Sequence, residues 1–321
     1  MNSWTWHGGQ LAHARDAFGD SDAPWIDLST GINPHSWPGV GGLEIDWARL
    51  PDPAALADLE IAAAQYFAAD PACVLALPGT EIGLRLLGEI LPKPVRHVWP
   101  SYRTHREMAP DAVAVALATA DASEGTLILA NPHNPDGRTA PPEILNAQME
   151  CGWLVVDEAF ADTDPSRSLA GKVSEDRRLI VLRSFGKFFG LAGVRLGFLI
   201  ASPARIAEFR ARIGAWPVSA AAIAIGTAAY RDTAWIADMR AQLRREAATL
   251  DRVLAAHGYP PAGDCPLFRL IKTGDAHALF ERLARRSILT RPFDYDPRWL
   301  RVGLPPNAAA LARLDAALGD G

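Results

Sequence analysis

Apolar positions along this chain follow two patterns, and their alternation predicts a layered α/β protein. Short, mostly apolar runs bounded by turn residues read as strands at 74–77, 95–99, 112–117, 127–130, 154–156, 179–182 and 196–200, the second carrying Arg96 and His97. Between several of them, apolar residues return every three to four positions. Leu56, Leu59, Ala63 and Phe67 form such a stripe over 53–69, and Ile82, Leu86 and Ile90 form one over 81–91. Stretches 205–213, 220–230 and 233–257 read as further helices. This order predicts a mostly parallel sheet with helices on both faces. After Gly263 the elements shorten: strands at 267–271, 288–291 and 299–303 alternate with helices at 276–285 and 308–318. The first fifty residues carry turn signals at Gly8-Gly9, Gly31-Ile32-Asn33-Pro34 and Trp37-Pro38-Gly39 and read as loosely structured. The expected organisation is an N-terminal arm (1–45), a large domain (46–230) and a small C-terminal α/β domain (231–321), on which the arm is a candidate to pack.

Composition narrows the classes. The 321 residues, 49% of them hydrophobic, suffice for a large core and two domains. A net charge of −5 gives no basic field for nucleic acid or anionic lipid. Cys73, Cys151 and Cys265 are far apart and make no metal-type or redox pair, so no metal is expected and a reducing cytoplasm fits. The N-terminus has neither a basic start nor an apolar core of a signal peptide. The longest apolar run, 218–230, falls short of the ~20 residues a membrane span needs. Three of the ten tryptophans precede residue 30 and suit an arm anchored on another surface.

Candidate chemistry concentrates at strand ends. Ser184-Phe185-Gly186-Lys187-Phe188-Phe189-Gly190 places one lysine among apolar and glycine residues, with Arg195 eight positions on. Apolar surroundings lower a lysine's pKa, and the neutral amine is the form that attacks a carbonyl. Ser184 and Arg195 suit a phosphate between them. That stretch alone fits equally a surface lysine beside a turn. Two others favour a cofactor site. The run 154–156 delivers Asp157, a carboxylate suited to a pyridine nitrogen, and the run 127–130 leads into Asn131-Pro132-His133-Asn134-Pro135, a stiff loop of amide donors. Pro78-Gly79-Thr80 is a tight turn opening a helix, where backbone N–H groups can receive a phosphate.

These stretches, in this order, resemble the fold-type I pyridoxal-phosphate enzymes, the class I/II aminotransferase superfamily. The resemblance runs from about His7 to about Arg313. It implies the fold-type I architecture and pyridoxal 5'-phosphate as cofactor. It makes Lys187 the Schiff-base lysine, Asp157 the partner of the pyridine nitrogen and Asn134 the donor to the ring oxygen. Ser184, Arg195, Gly79 and Thr80 would surround the cofactor phosphate. Where the family stacks an aromatic residue on the ring, this chain has His105, with Tyr102 as a second candidate. Three positions depart from the family: Phe160 for the usual Tyr beside the ring oxygen, Gly186 for a hydroxyl residue, and Leu50-Pro51 for a Tyr-Pro that reaches the partner subunit's site.

Arg301 matches the family's carboxylate-binding arginine, and Arg291 is a second cation near it in sequence. His7-Gly8-Gly9-Gln10 followed by Ser29-Thr30-Gly31-Ile32-Asn33-Pro34 narrows the resemblance to the threonine-phosphate decarboxylases of cobalamin biosynthesis, close relatives of histidinol-phosphate aminotransferases. By that resemblance His7, Asn33 and Arg291 contact a substrate phosphate, Arg301 its carboxylate, and Asn134 counts among both cofactor and substrate contacts. The implied reaction converts L-threonine O-3-phosphate into (R)-1-aminopropan-2-yl phosphate and CO2, in a homodimer with sites near the interface. The alternative is a histidinol-phosphate-type aminotransferase, in which Lys187 removes the Cα proton. A non-enzymatic ligand-sensing module is a third reading, against which the Lys187/Asp157 pair stands.

Overall fold

The computed structural model describes residues 3–19 and 23–319; Met1 and Asn2 of the N-terminal stretch read above lie outside them. The chain divides into two compact units. One comprises Met1–His35, Pro135–Arg138 and Met239–Gly321; the other comprises Ser36–Asn134 and Thr139–Asp238.

The first unit begins with a helix where a loose arm was expected. In α1 (Leu11–Phe18), Leu11, Ala14 and Phe18 follow helical spacing, but the helix is only eight residues long, so the apolar signal is thin. Packing supplies what propensity lacks. Trp4 stacks on His13 with ring centroids 4.4 Å apart, and Trp4 and Phe18 both pack against Phe280. Strand β1 (Ile26–Asp27) follows.

The second unit starts with α2 (Pro53–Phe67), whose ends are written locally. The Asp52 carboxylate accepts from the Ala54 N–H at 2.8 Å, Pro53 occupies the first turn, and Ala68 adopts the left-handed conformation that ends the helix. Its sheet holds β2 (Val74–Leu77), β3 (Val95–Val98), β4 (Val113–Val115), β5 (Thr126–Ala130), β6 (Trp153–Asp157), β7 (Leu179–Ser184) and β8 (Gly197–Ile200), in the order β2-β8-β7-β6-β5-β3-β4. The expected mostly parallel sheet is found: β4, β3, β5, β6 and β7 are mutually parallel, and β8 runs antiparallel to β7 and β2. A parallel return needs a long crossover. The link from Ser184 to Gly197 holds only the four-residue α6 (Phe185–Phe188) and a 3-10 turn (Ala192–Val194), so the chain doubles back.

Helices α3 (Thr80–Ile90), α4 (Arg103–Glu107), α5 (Pro142–Cys151), α7 (Pro203–Ile213) and α8 (Ala220–Arg231) flank the sheet. Leu75, Leu77, Ile128, Val155, Leu182 and Leu199 pack into one core cluster with Leu84 and Phe209. Each such side chain contributes roughly 1.5–3 kcal/mol through burial. Helices α2 and α8 approach closely at Gly226, where a Cβ would meet Leu196 and Leu59 side chains at 2.5 and 2.8 Å.

Helix α9 (Thr233–Ala256) leads to the rest of the first unit: β9 (Phe268–Lys272), α10 (Ala276–Ala284), β10 (Ile288–Leu289), β11 (Arg291–Pro292), β12 (Trp299–Gly303) and α11 (Ala308–Gly319). The single strand expected at 288–291 is two strands on two sheets. β10 pairs parallel with β1, while β11, β12 and β9 form an antiparallel sheet. Among the described residues, no helix is long and apolar enough to cross a membrane.

Candidate active site

In the second unit, polar side chains gather where the strands end. Asp157, the last residue of β6, is buried, and both of its carboxylate oxygens are engaged. Oδ1 accepts from the Ala159 N–H at 3.1 Å, and Oδ2 lies 3.1 Å from His105 Nε2. His105, on α4, is 0% exposed. Tyr102 meets it edge-on, with ring centroids 5.9 Å apart and planes at 86°. The Tyr102 hydroxyl donates to Glu81 Oε2 at 2.9 Å, and burial together with the Glu81 charge pushes this phenol up to about 12. Of the two aromatic candidates, His105 therefore stands beside Asp157, and Tyr102, at the start of α4 and tied to Glu81 on α3, braces it.

The β5 end is tied to the β6 end: the Asn131 N–H donates to the Asp157 carbonyl at 2.9 Å. Asn131 Oδ1 in turn accepts from the Ala140 N–H at 3.0 Å, closing a loop that carries half-buried Asn134. Phe160 is buried.

Lys187 is half-buried on α6, between Gly186 and fully buried Phe188. Phe185 stacks on Phe189 at 4.6 Å, and Phe188 and Phe189 both contact Trp235, so an aromatic bed fixes this short helix. The glycine at 186 has a steric cause. A Cβ there would sit 2.6 Å from Ala192 Cα, so the turn returning to β8 leaves no room for a hydroxyl residue.

Gly197 pairs with Leu77 on one side and Ser184 on the other, which brings the 78–80 turn next to Ser184. A Cβ on Gly197 would lie 2.7 Å from the Thr80 nitrogen, and one on Gly79 would lie 2.8 Å from Arg195 Nη2. Gly79 also has φ +87, a backbone that favours glycine. These two glycines open a space bounded by the first turn of α3, Ser184 and the Arg195 guanidinium. Arg195 itself adopts the left-handed conformation, and its Nη1 donates to the Ala192 carbonyl at 3.3 Å. Helix N-terminus, hydroxyl and guanidinium together form an anion cup.

Directly behind the cup lies a charge network that pattern reading missed. Arg183, one residue before Ser184, is fully buried. Its Nη1 donates to Glu158 Oε2 at 3.1 Å and Ser168 Oγ at 2.9 Å, its Nη2 donates to Asp162, and its guanidinium lies 4.5 Å from the Phe67 ring centroid. Burial pushes the Glu158 carboxyl up, against the pull of Arg183. The signal was available as Arg183 inside an apolar run and Glu158 beside Asp157, both impossible to bury alone.

The first unit gathers the other expected residues. Arg291 and Arg301 are direct partners across β11 and β12, so both side chains emerge on one face. Arg301 is 3% exposed; its Nη2 donates to the Ser29 carbonyl at 2.9 Å and its guanidinium lies 5.1 Å from the Phe268 ring centroid. Burial, with the Arg291 charge adding to it, pulls Arg301 down to about 9. A guanidinium stays cationic at neutral pH even so. Arg291 Nη2 donates to the Trp6 carbonyl at 3.4 Å, adjacent to exposed His7.

The His7-Gly8-Gly9 segment lies along Ser29. The Gly9 N–H donates to Ser29 Oγ at 2.8 Å, and a Cβ on Gly8 would be 2.5 Å from the Ser29 carbonyl oxygen. Asn33 is buried, with its Oδ1 accepting from the His35 N–H at 2.9 Å. Tyr295, not singled out from the sequence, sits in the field of both arginines; burial pushes its phenol up against their pull. The arrangement is two cations on one face of the β11–β12 pair, steadied by the Trp6 and Ser29 carbonyls and with a phenol in their field, suited to an anion with more than one negative charge.

Comparison with known proteins places the chain in a family. The family model for aminotransferase class I and II matches residues 95–317. A threonine-phosphate decarboxylase from Sinorhizobium sp. is 42% identical over 97% of this chain and 97% of its own length. One from Pseudomonas aeruginosa is 39% identical over 97% of this chain and 96% of its own. The crystal structure of histidinol-phosphate aminotransferase from Sinorhizobium meliloti in complex with pyridoxal-5'-phosphate superposes with a TM-score of 0.79 at 21% identity, covering 96% of this chain and 93% of that one, which establishes the shared fold. The chain belongs to the class I and II aminotransferase family, in the group that contains the threonine-phosphate decarboxylases.

Proposed function

We propose that this protein is a pyridoxal 5'-phosphate-dependent carboxy-lyase that converts L-threonine O-3-phosphate into (R)-1-aminopropan-2-yl phosphate and CO2. The observation that carries the reading is 42% identity over 97% of the chain to a threonine-phosphate decarboxylase. The proposed setting is cobalamin biosynthesis in the cytoplasm, with a homodimer as the working form.

The donor set fits the cofactor. The cup kept open by Gly79 and Gly197 suits its phosphate, with Ser184, Thr80 and Arg195 as donors. Buried Asp157, a carboxylate held at both oxygens, suits its pyridine nitrogen. Bound there, pyridoxal phosphate supplies an electron sink for the pair released when the bond between Cα and the carboxylate breaks.

Each residue then has a task. Lys187 holds the cofactor through its amine, and afterwards returns a proton to Cα. Asp157 keeps a proton on the ring nitrogen. Asn134 donates to the ring oxygen, a task it performs without help at position 160, where Phe160 has no hydroxyl. His105 would offer a flat ring face to the cofactor. Arg301 holds the substrate carboxylate and thereby sets which bond at Cα stands perpendicular to the ring. Arg291, His7 and Asn33 take the substrate phosphate; Arg291 and Arg301 repel each other, and a dianionic substrate relieves that repulsion.

Comparing kcat/KM for threonine phosphate and unphosphorylated threonine tests the phosphate claim. The phosphate ester should be favoured by at least a hundredfold. Equal reactivity of the two would remove His7, Asn33 and Arg291 from the substrate site.

A further inference from the structure

The second unit holds a cavity of about 260 Å³ that the proposed reaction leaves unused. Buried Asn131, Leu145 and Leu169 form its floor, and exposed Arg167 and Lys172 stand at its mouth. Asn131 is 3% exposed, and its side chain is only half used. The Ala140 N–H donates to it at 3.0 Å, so that end of the amide is the oxygen. The other end is then the NH2 group, which has no hydrogen-bond partner among the described residues. A buried donor without an acceptor opposes folding.

Neighbouring acceptors are engaged. The Ser168 hydroxyl donates to Glu158 and accepts from Arg183, and Thr139 Oγ1 accepts from Arg167. Arg167 Nε lies 3.1 Å from Asp164 Oδ2, so these two charges balance. Lys172 has no ion pair among the described residues, and its ammonium carries three donors. Helix α5 adds the positive end of its dipole, since Pro142 and Leu145 line the same space. Donors and positive charge converge there, and the component they lack is a negatively charged acceptor. The volume falls below the roughly 300–1,000 Å³ of ordinary ligand pockets, which is too small for a nucleotide.

We propose that this cavity is an accessory binding site for a small oxyanion of the phosphate class, with the Asn131 amide at its base and Lys172 and Arg167 at its mouth. The oxyanion accepts from Asn131 Nδ2 while Asn131 Oδ1 keeps the Ala140 N–H. The Asn131 backbone N–H also donates to the Asp157 carbonyl at 2.9 Å, so an occupied cavity steadies the loop that carries Asn134.

The experiment is calorimetric titration of the holoenzyme with inorganic phosphate at constant ionic strength. Borohydride first fixes the cofactor, so that its phosphate fills the cup at Arg195. An Arg291→Ala background removes the proposed substrate-phosphate site. One saturable phosphate should still bind in that background. Lys172→Ala should weaken it about tenfold, the effect of losing one charge-assisted contact, and Lys172→Arg should retain it. Asn131→Asp keeps an oxygen for the Ala140 N–H, removes the donor and adds a negative charge; it should abolish the binding. The proposal is overturned if no saturable phosphate binds in the Arg291→Ala background, or if either Lys172→Ala or Asn131→Asp binds it with native affinity. A wrong reading of Arg291 shows itself separately, as phosphate binding that Arg291→Ala leaves unchanged in stoichiometry. Should Asn131→Asp fail to fold, Lys172→Ala against Lys172→Arg carries the contrast at an exposed position: tighter binding by Arg supports the site, and equal affinity of the two refutes it.

Discussion

Lys187 and Asp157 interrupt otherwise apolar stretches, and that is why they were legible in the sequence: a charge set in a buried run is costly unless it has a partner or a task. Lys187→Ala should abolish the absorption band of the bound cofactor and its covalent fixation by borohydride, while the apo-protein stays folded. Fixation on a different lysine would refute the assignment. The two arginines of the first unit separate by kinetics. Losing one charge-assisted contact removes about 1.5–3 kcal/mol, or roughly ten- to hundredfold in binding. Arg291→Ala should therefore raise KM for threonine phosphate by that factor with cofactor affinity unchanged. Arg301→Ala should lower kcat as well, since the carboxylate no longer fixes the scissile bond. An Arg291→Ala enzyme with native KM would contradict the phosphate role. Other residues were not legible. Nothing in the spacing of Tyr295 or Ser29 foretold their place beside the arginines; that depends on β11 pairing with β12 and on the arm lying along Ser29. Gly186 looked like a lost hydroxyl, and only the turn at Ala192 explains it.

At the scale of elements, the central strands β2, β5, β6, β7 and β8 were readable because they are buried on both faces and so appear as nearly unbroken apolar runs, whereas edge strand β4 is largely exposed. Their direction was readable only where a helix intervenes, and β8 reverses because the four-residue α6 is too short to cross over. Helix α1 was hidden by its shortness, and the split of 288–291 by the absence of any breaker at Thr290. The brace from α3 through Tyr102 to His105 carries a pH signature. The Tyr102 phenol, ordinarily near 10, is pushed up to about 12 by burial and Glu81. The folded state thus holds this proton more tightly than the unfolded state. The stabilisation is fully present below pH ~10 and is lost as pH rises toward ~12. Tyr102→Phe should flatten the alkaline fall in melting temperature between those values. An unchanged alkaline profile would mean that the phenol is not so held.

For the whole molecule, the net charge of −5 gives no basic field for nucleic acid. Trp47 and Leu50 are 78% and 65% exposed. Sedimentation should give a dimer, and a stable monomer that still turns over substrate would remove the partner subunit from the account. The central claim is that the bond broken at Cα is the one to the carboxylate. The measurement that reaches it most directly is product analysis with purified protein, pyridoxal phosphate and L-threonine O-3-phosphate, with and without 2-oxoglutarate. The account predicts one CO2 and one aminopropanyl phosphate per substrate consumed, independent of 2-oxoglutarate. A keto acid product with glutamate formed and no CO2 released would contradict it and make the protein an aminotransferase.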